Sequence, residues 1–345
     1  MLLKDFRPVP KLVTKSTFIN KPRFPVIDAH NHLGETFGDG WINRPLDEIL
    51  ATLDEAGVVG YVDLDGGWGE DIFDLHLSRL SPAADRFRVF GGVDWGKWPQ
   101  LGEAFPAYAV ERLRAQKEGG AFGLKIWKPF GLHVRDQHGK LVKVDDERLD
   151  PLWQAADELG MPVLIHVADP VAFFDPINES NERWEELGVH PDWAFTSPPF
   201  PPFLDILNAF RNLVKHHPAT TFIGAHVGCY AENLEFVGRM LDECPNYFID
   251  TSGRLGELGR QPYSARRFFM KHADRILYGL DEGVHLEDYR LSYRFFETDD
   301  EYFNYNASEV PLQGRWHVCG LYLPDEVLKK FYYDNAARLL NFPVL

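Results

Sequence analysis

The feature that most constrains the fold is a recurring short apolar run, each followed by a stretch with helical spacing. Eight such runs occur, at Val26–His30, Val58–Asp65, Arg88–Trp95, Phe122–Lys128, Pro162–Ala168, Thr221–Gly228, Tyr247–Gly253 and Arg275–Glu282. Several are nearly continuous in apolar residues, which is typical of parallel strands covered on both faces. The alternation predicts an α/β fold, a closed (β/α)8 TIM barrel. An open doubly wound sheet is the alternative, but no G-x-G-x-x-G follows the first run.

Three connections are too long for plain barrel turns, and they follow the fourth, fifth and eighth runs. They span Lys128–Glu147, Asp169–Pro201 and Gly283–His317. We expect these insertions on the carboxyl-end face of the barrel, where active sites of this fold lie. Long loops there commonly act as lids or specificity walls, and subunit contacts are the alternative. The sequence therefore predicts one barrel domain over residues 26–345, preceded by an irregular arm over residues 1–25.

The composition disfavours a membrane protein and a nucleic-acid-binding protein. The longest apolar runs are far shorter than the ~20 residues of a membrane span. The net charge of −16 disfavours a nucleic-acid partner. The three cysteines form neither a C-x-x-C pair nor a disulfide framework, which fits a reducing compartment. We expect a cytoplasmic protein, although a removed leader would leave no trace, with a small-molecule substrate. We also expect a homo-oligomer, because another subunit could bury the apolar side chains of the arm and of the aromatic-rich insertions.

The first run ends in the sequence Asp28-Ala29-His30-Asn31-His32. Residues two apart on a strand point to the same side, so His30 and His32 can present two imidazoles from one strand end. Imidazole is a ligand well suited to zinc, iron, nickel and manganese. An isolated H-x-H is a weak signal, but here it follows an apolar strand and is matched by residues on later strands.

Three later runs also carry a potential metal ligand near their carboxyl ends, namely His166, His226 and Asp281. A single histidine on an apolar strand is more often a hydrogen-bonded core residue. Five placements at equivalent strand ends are hard to explain in that way. A buried, unpaired Asp281 would be costly, and a central cation removes that cost. The pattern predicts one divalent metal ion, with Zn²⁺ favoured and Mn²⁺ or Fe²⁺ compatible.

This order of residues resembles the amidohydrolase superfamily, in which H-x-H lies on strand 1, a histidine on each of strands 5 and 6, and an aspartate on strand 8. The segment Tyr333–Leu340 resembles the closing helix of its amidohydrolase-related branch, which also contains nonoxidative decarboxylases. The resemblance runs from about Pro25 to the C-terminus. It implies a metal held by His30, His32, His166 and Asp281, with Asp281 and His226 as catalytic residues.

The fourth run, FGLKIWK, alternates so that Lys125 and Trp127 should project into the barrel. In relatives with two metals, a carboxylated lysine at this place bridges the ions. In relatives with one metal, the lysine can instead meet an anionic group of the substrate, and a purely structural role is also open. Candidate substrate-binding residues are Lys125, Trp127, His133, Arg135 and Arg254. The last three are equally compatible with solvated loop positions.

Other polar residues at strand ends receive lesser roles. Asp250, on the seventh run, is expected to orient a ligand histidine. Asp63 and Asp65 are expected to serve in turns or helix caps, and His76 is given no role.

Metal-assisted hydrolysis is the leading hypothesis, with cleavage of a C–N or C–O bond in an amide, lactone or ester of a small, anionic substrate. The cation would lower the pKa of a bound water towards ~7. Asp281 would take the water proton, and His226 would polarise the carbonyl. The alternative is nonoxidative decarboxylation of an aromatic or unsaturated acid by nearly the same ligands. A catalytically idle binding barrel is a third hypothesis, disfavoured because all ligand types are present.

Overall fold

The computed structural model describes residues 9–38, 40–305 and 313–343. Residues 1–8 of the predicted arm and 306–312 of the third predicted insertion lie outside this part. Eight parallel strands form one sheet in chain order, β1 to β8. They are Val26–Asn31, Val58–Asp63, Phe87–Gly91, Gly123–Ile126, Val163–Ile165, Phe222–Gly224, Tyr247–Asp250 and Ile276–Leu277.

Hydrogen bonds between β1 and the segment that follows β8 close the sheet into a barrel. The amide of Ala29 donates to the carbonyl of Tyr278 at 2.8 Å, and the amide of Asp281 donates to the carbonyl of His30 at 3.0 Å. Helices follow the strands around the outside. The predicted (β/α)8 barrel is therefore confirmed.

The α-helices of five residues or more in the described part are numbered α1 to α12, and a π-helical turn, Lys330–Asp334, joins the last two. They are Leu46–Ala56, Glu70–Leu80, Phe105–Gly119, Asp150–Glu158, Trp184–Val189, Phe203–His216, Leu234–Glu243, Leu255–Gly259, Pro262–Lys271, Leu286–Glu297, Asp325–Lys329 and Asn335–Leu340. Their apolar residues recur at helical spacing and face the strands. In α6, for example, Phe203, Ile206, Phe210 and Leu213 are buried on one side.

Apolar side chains fill the interior of the barrel at its amino-terminal end. This cluster contains Ile27, Val62, Phe90, Leu164, Ile223 and Leu277 from six different strands. The C-terminal residues Tyr333, Leu340 and Phe342 pack against the same cluster and close that end. Polar side chains that point inwards are therefore left to the carboxyl ends of the strands, as in other barrels of this class.

The insertions after β4 and β5 are present as expected, and the second of them contains α5. Within the predicted third insertion, residues 286–297 form the barrel helix α10, so the irregular part begins only at Thr298. Residues 9–25 contain neither helix nor strand. In the described ranges, every helix is too short or too polar to cross a bilayer.

Candidate metal centre and active site

The fifth, sixth and eighth strands end earlier than the sequence pattern predicted, and three of the candidate ligands lie in the turns that follow them, whereas His30 lies within β1. His166 directly follows β5, His226 lies two residues beyond β6, and Asp281 lies four residues beyond β8. The backbone of His226 and Asp281 is left-handed, with φ of 56° and 61°. Such a backbone ends the extended strand and is costly for a residue other than glycine, and strain of this kind concentrates at functional sites.

These turns bring the predicted ligands together around the carboxylate of Asp281. Its Oδ1 lies 3.2 Å from Nε2 of His32 and 3.7 Å from Nε2 of His30, while its Oδ2 lies 3.8 Å from Nε2 of His226. The rings of His166 and His226 are edge to face, with centroids 4.3 Å apart. Five side chains spread over some 250 residues thus meet at one end of the barrel.

Each of three histidines is held through its Nδ1 atom. Nδ1 of His30 lies 2.8 Å from Oδ2 of Asp250, and Nδ1 of His32 lies 2.9 Å from Oδ1 of Asp65. Nδ1 of His226 lies 2.9 Å from the carbonyl oxygen of Ser252. Carboxylates and carbonyls accept hydrogen bonds, so each Nδ1 carries the proton of the neutral ring. The Nε2 atoms of His30 and His226 are then left with lone pairs directed towards Asp281, whereas Nε2 of His32 lies within hydrogen-bond distance of that carboxylate.

Burial and charge favour neutral imidazoles at most of these positions. Burial lowers the pKa of His30, lowers that of His166 to about 4, and lowers that of His226 well below its usual value. Burial would also lower the pKa of His32, but its bonds to Asp281 and Asp65 outweigh burial and raise the pKa to about 9. Nε2 of His32 therefore carries a proton and donates to Asp281.

The donor set fits a divalent cation. It offers neutral imidazole nitrogens and one carboxylate, and the imidazoles of His30 and His32 hold the pKa of Asp281 low against the effect of burial. Oxygen and nitrogen atoms of His30, His226 and Asp281 all lie within 4.8 Å of one another. This group includes His226, for which the sequence predicted a catalytic role, and does not include His32 and His166, which stay predicted ligands.

His166 is bordered by a second ion pair that the sequence reasoning did not include. Its Nε2 lies 3.4 Å from Oδ1 of Asp169, and the other oxygen of Asp169 lies 2.7 Å from Nζ of Lys128. Lys128 and His166 keep the pKa of Asp169 low despite its burial. The position of Asp169, three residues after the strand-end histidine, is the only signal that could have found it.

Lys125 projects into the barrel, as the alternation predicted. Its side chain is buried, and its Nζ has no hydrogen-bond partner in the described ranges. The ammonium lies 4.8 Å from the centre of the Trp127 ring, which stacks on the ring of His32. Burial lowers the pKa of Lys125 to about 8. The structure thus places an ammonium with no hydrogen-bond partner among the described residues beside the candidate metal centre, where the charges of Asp281 and Asp250 act on it.

A cavity of about 570 Å³ opens above the centre. Its wall includes His166, His226, Asp281 and Arg254 together with the aromatic side chains of Phe37, Phe173, His190 and Trp193. Arg254 is mostly buried, and the only hydrogen bond of its side chain within the described ranges goes from Nη1 to the carbonyl of Gly253. Its guanidinium forms no ion pair with a described carboxylate, but its charge acts at longer range on the carboxylates of Glu257 and Glu186.

Two of the predicted substrate-binding residues are placed elsewhere. The exposed ring of His133 packs edge-on against Phe195 and Phe200. Arg135 is exposed and donates to the carbonyl of Gly139 within a tight turn. Neither lines the cavity or contacts a histidine of the candidate centre, so the structure gives no support to a substrate role for either.

The expected role of Asp250 in orienting a histidine agrees with its contact to His30, but the roles given to three other residues need correction. Asp65 orients His32 rather than capping a helix, and Asp63 forms a buried pair with His76, which had no role. In the sequence, Asp63 stands at the end of β2 and Asp65 two residues beyond it. An aspartate at such a position can equally be a turn residue, so the sequence alone could not assign these roles.

A barrel with these histidines and an aspartate at its strand ends matches the amidohydrolase pattern seen in the sequence, and comparison with known proteins agrees. A family model described as amidohydrolase matches residues 27–342. The chain belongs to the amidohydrolase family, which confirms the resemblance seen in the sequence. A comparison with curated proteins found no match.

Solved structures with the same fold include both decarboxylases and amidohydrolases. A 2,6-dihydroxybenzoate decarboxylase from Rhizobium has 17% identity and a TM-score of 0.57, with 92% of this chain and 99% of that chain covered. A 5-carboxyvanillate decarboxylase from Novosphingobium aromaticivorans, complexed with manganese, has 15% identity and a TM-score of 0.51, covering 85% and 79%. An amidohydrolase from Burkholderia multivorans has 14% identity and a TM-score of 0.54, covering 92% and 99%.

Proposed function

We propose that this chain is a metal-dependent, nonoxidative decarboxylase of a small aromatic or unsaturated carboxylic acid. One observation carries the proposal. Two buried cations, the ammonium of Lys125 and the guanidinium of Arg254, border the candidate metal centre without a carboxylate partner in the described ranges. Buried charges are normally paired, so their partner is expected to arrive with the substrate. A substrate with an anionic group meets that need.

The ligand residues of this proposal are His30, His32, His166 and Asp281, which would hold one divalent ion, with Zn²⁺ expected and Mn²⁺ or Fe²⁺ as alternatives. When bound, the ion supplies a Lewis acid that neutralises negative charge on the substrate's carboxylate and a neighbouring oxygen. The chain's own contribution begins with orientation. Asp250 and Asp65 fix the rings of His30 and His32, so that both Nε2 atoms face the same point.

Decarboxylation breaks the bond between the carboxylate carbon and the adjacent carbon. CO2 leaves, the electron pair stays on the substrate carbon, and a proton must replace the lost group there. His226 and Asp281 are the groups through which that proton can pass, since Nε2 of His226 has a free lone pair and lies 3.8 Å from Oδ2 of Asp281. Lys125 and Arg254 would bind the substrate's anionic groups and limit its rotation in the cavity.

The shape and lining of the cavity support a planar substrate. Phe37, Phe173 and Trp193 supply aromatic faces around the opening, and Trp127 lies beside His32. Aromatic faces stack favourably on flat, conjugated molecules. Proteins of the same fold that act on 2,6-dihydroxybenzoate and on 5-carboxyvanillate offer a first choice of compounds.

Hydrolysis remains the second candidate, because the same lone pair on His226 can accept the proton of an attacking water. It is also supported by an amidohydrolase of the same fold. Under hydrolysis, the two cations would bind a carboxylate that remains in the product. The two reactions therefore differ in what leaves the substrate and in whether oxygen from water enters it.

The deciding experiment uses metal-loaded enzyme with a panel of hydroxylated aromatic acids and a panel of anionic lactones, esters and amides in H2¹⁸O. We expect CO2 and the descarboxy product from at least one acid, without ¹⁸O in that product. The variant His30→Ala should lose this activity with its fold intact, and His138→Ala, which changes an exposed histidine, should keep it. Product containing ¹⁸O from the second panel, without CO2 from the first, would replace decarboxylation by hydrolysis.

A further inference from the structure

The loop that follows β1 contains a tight turn close to the predicted metal ligand His32. The amide of Gly38 donates to the carbonyl of Glu35 at 3.0 Å, which places Thr36 and Phe37 at the tip of the turn. Both side chains are exposed, and Phe37 is 40% exposed. The turn itself does not fix the direction in which its tip leans. That direction depends on the contacts that the two side chains make with the barrel.

One buried carboxylate holds both the turn and the histidine. The hydroxyl of Thr36 donates to Oδ1 of Asp65 at 2.5 Å, and the amide of Gly34 donates to Oδ2 at 2.6 Å. The same Oδ1 lies 2.9 Å from Nδ1 of His32. A Cβ at position 34 would lie 2.7 Å from Oδ2 of Asp65, so this close approach requires glycine. Asp65 thus fixes the predicted metal ligand and the turn together.

The ring of Phe37 lies against the same histidine. The centres of the Phe37 and His32 rings are 5.5 Å apart, and the two planes meet edge to face at 74°. Trp127 also contacts the ring of His32, with stacked planes and centres 5.2 Å apart. Phe37 forms part of the wall of the cavity above the candidate metal centre. Its ring is therefore placed where it can contact a flat substrate bound at that centre.

The turn separates this cavity from a second one. Thr36 and the two residues before it line a second cavity of about 580 Å³, whose wall also contains the apolar side chains of Ile42, Ile72 and Leu75. Because burial in either cavity stabilises an apolar ring, apolar contact alone does not decide on which side of the turn Phe37 lies. A directional contact is needed to fix its side, and the bond from Thr36 to Asp65 is such a contact.

We propose that Thr36 is a positioning residue of the substrate site. Its bond to Asp65 fixes the ring of Phe37 beside His32, as an aromatic wall that favours flat, conjugated acids over saturated acids of similar size. This inference rests on the proposed function, because it names the residues that select among acids at the same site. Thr36 lines the second cavity, so it acts through Phe37 rather than by contact with the acid.

Isothermal titration of the metal-loaded enzyme with benzoate and with cyclohexanecarboxylate measures this preference. Benzoate lacks the neighbouring oxygen expected of a substrate, so it reports binding without reaction. We expect the wild type to bind benzoate more tightly, and Thr36→Val and Phe37→Leu to lose about two- to tenfold of that preference, the usual contribution of an aromatic pair. Thr36→Ser, which keeps the hydroxyl, should behave as the wild type does. Thr52→Val, which removes a hydroxyl bonded to the carbonyl of Glu48 in α1, is the matched control.

The possible results separate this inference from the proposed function. If the wild type prefers benzoate and folded Thr36→Val keeps the whole preference, the role of Thr36 is overturned while the proposed function stands. A wild type that binds both acids equally also overturns the role of Thr36 alone. If the metal-loaded wild type binds neither acid, the proposed function and this inference fail together.

A fluorine label records the position of the ring without any ligand. 4-Fluorophenylalanine is introduced at position 37, and the ¹⁹F spectrum is recorded before and after addition of benzoate. We expect one resonance in the wild type that moves when benzoate is added, and the same resonance in Thr36→Ser. In Thr36→Val we expect a shifted or second resonance before any ligand is present. An identical starting spectrum in Thr36→Val would show that the hydroxyl does not position Phe37 and would overturn the proposal.

Discussion

Nδ1 of His30 lies 2.8 Å from Oδ2 of Asp250, and the other oxygen of that carboxylate accepts the backbone N–H of His226 at 3.0 Å. One buried carboxylate thus fixes two histidines that come from strands on different sides of the barrel. The hydroxyl of Ser252 donates to the same carboxylate at 2.6 Å. The geometry of the proposed metal centre therefore depends on a residue that is not itself a ligand.

The variant Asp250→Asn should weaken metal binding about 10- to 100-fold, the usual effect of losing a partner that orients a ligand histidine. The amide accepts a proton less strongly than the carboxylate, so the ring of His30 is held less firmly. Competition with a chromogenic chelator measures the affinity. Asp94→Asn, at an exposed carboxylate near the end of β3, is the matched control. Equal affinities in the two variants would contradict the proposed role of Asp250.

Replacing the unpaired guanidinium of the cavity should affect substrate binding rather than folding. Hydrogen bonds to charged groups contribute about 1.5–3 kcal/mol, so Arg254→Met should raise the Kd of a hydroxybenzoate inhibitor about tenfold to 100-fold. Isothermal titration measures the change. Arg135→Met, in an exposed turn, should bind as the wild type does. A normal Kd in Arg254→Met would remove Arg254 from the substrate site.

Anion binding should weaken as the pH rises through about 8, because burial lowers the pKa of Lys125 to about 8 and its ammonium loses its charge there. Between pH 8 and the ordinary lysine value of 10.5, the unfolded chain binds more protons than the folded one, so folding stability should rise over the same range. The Kd of a carboxylate inhibitor from pH 6.5 to 9.5 checks this. Lys125→Arg should bind without that pH dependence, and an unchanged pH profile in this variant would exclude Lys125 as the titrating group.

The insertion after β5 is joined to α8 by a buried ion pair between Arg183 and Glu257. Breaking one partner of such a pair leaves an uncompensated charge and costs about 3–5 kcal/mol. Arg183→Met should lower the free energy of unfolding by roughly this amount in urea titrations. The double variant Arg183→Met/Glu257→Met should recover part of the loss, since both charges are absent. A double variant no more stable than Arg183→Met would argue against this explanation.

The barrel could be predicted from the sequence because its eight apolar runs and their spacing depend only on local burial. The buried apolar residues of α1 and α7 recur at helical spacing. The strand ends could not be placed, since the left-handed backbone at His226 and Asp281 is imposed by tertiary contacts rather than by residue type. Apolar patterning cannot reveal where an extended segment changes direction.

The candidate ligands were predictable because each residue type suits a metal and each lies near a strand end. The residues that orient them were only partly predictable. Asp65 looked like a turn residue, and its partner His32 is 33 positions away, so nothing local links them. Ser252 contacts His226 across neighbouring strands, whereas Asp169 lies only three residues after His166. The exposed positions of His133 and Arg135 depend on the path of an irregular loop. Such a path cannot be predicted from the periodic spacing of apolar residues.

The most direct test is an anomalous-scattering map from crystals of the metal-loaded chain, recorded on both sides of the zinc or manganese absorption edge. We predict a single peak within bonding distance of Nε2 of His30 and Nε2 of His32, with His166 and Asp281 completing the set and Lys125 unmodified. Its absence from saturated crystals, or a peak remote from these side chains, would contradict the proposed metal centre. Two ions joined by a carboxylated Lys125 would contradict the one-metal account.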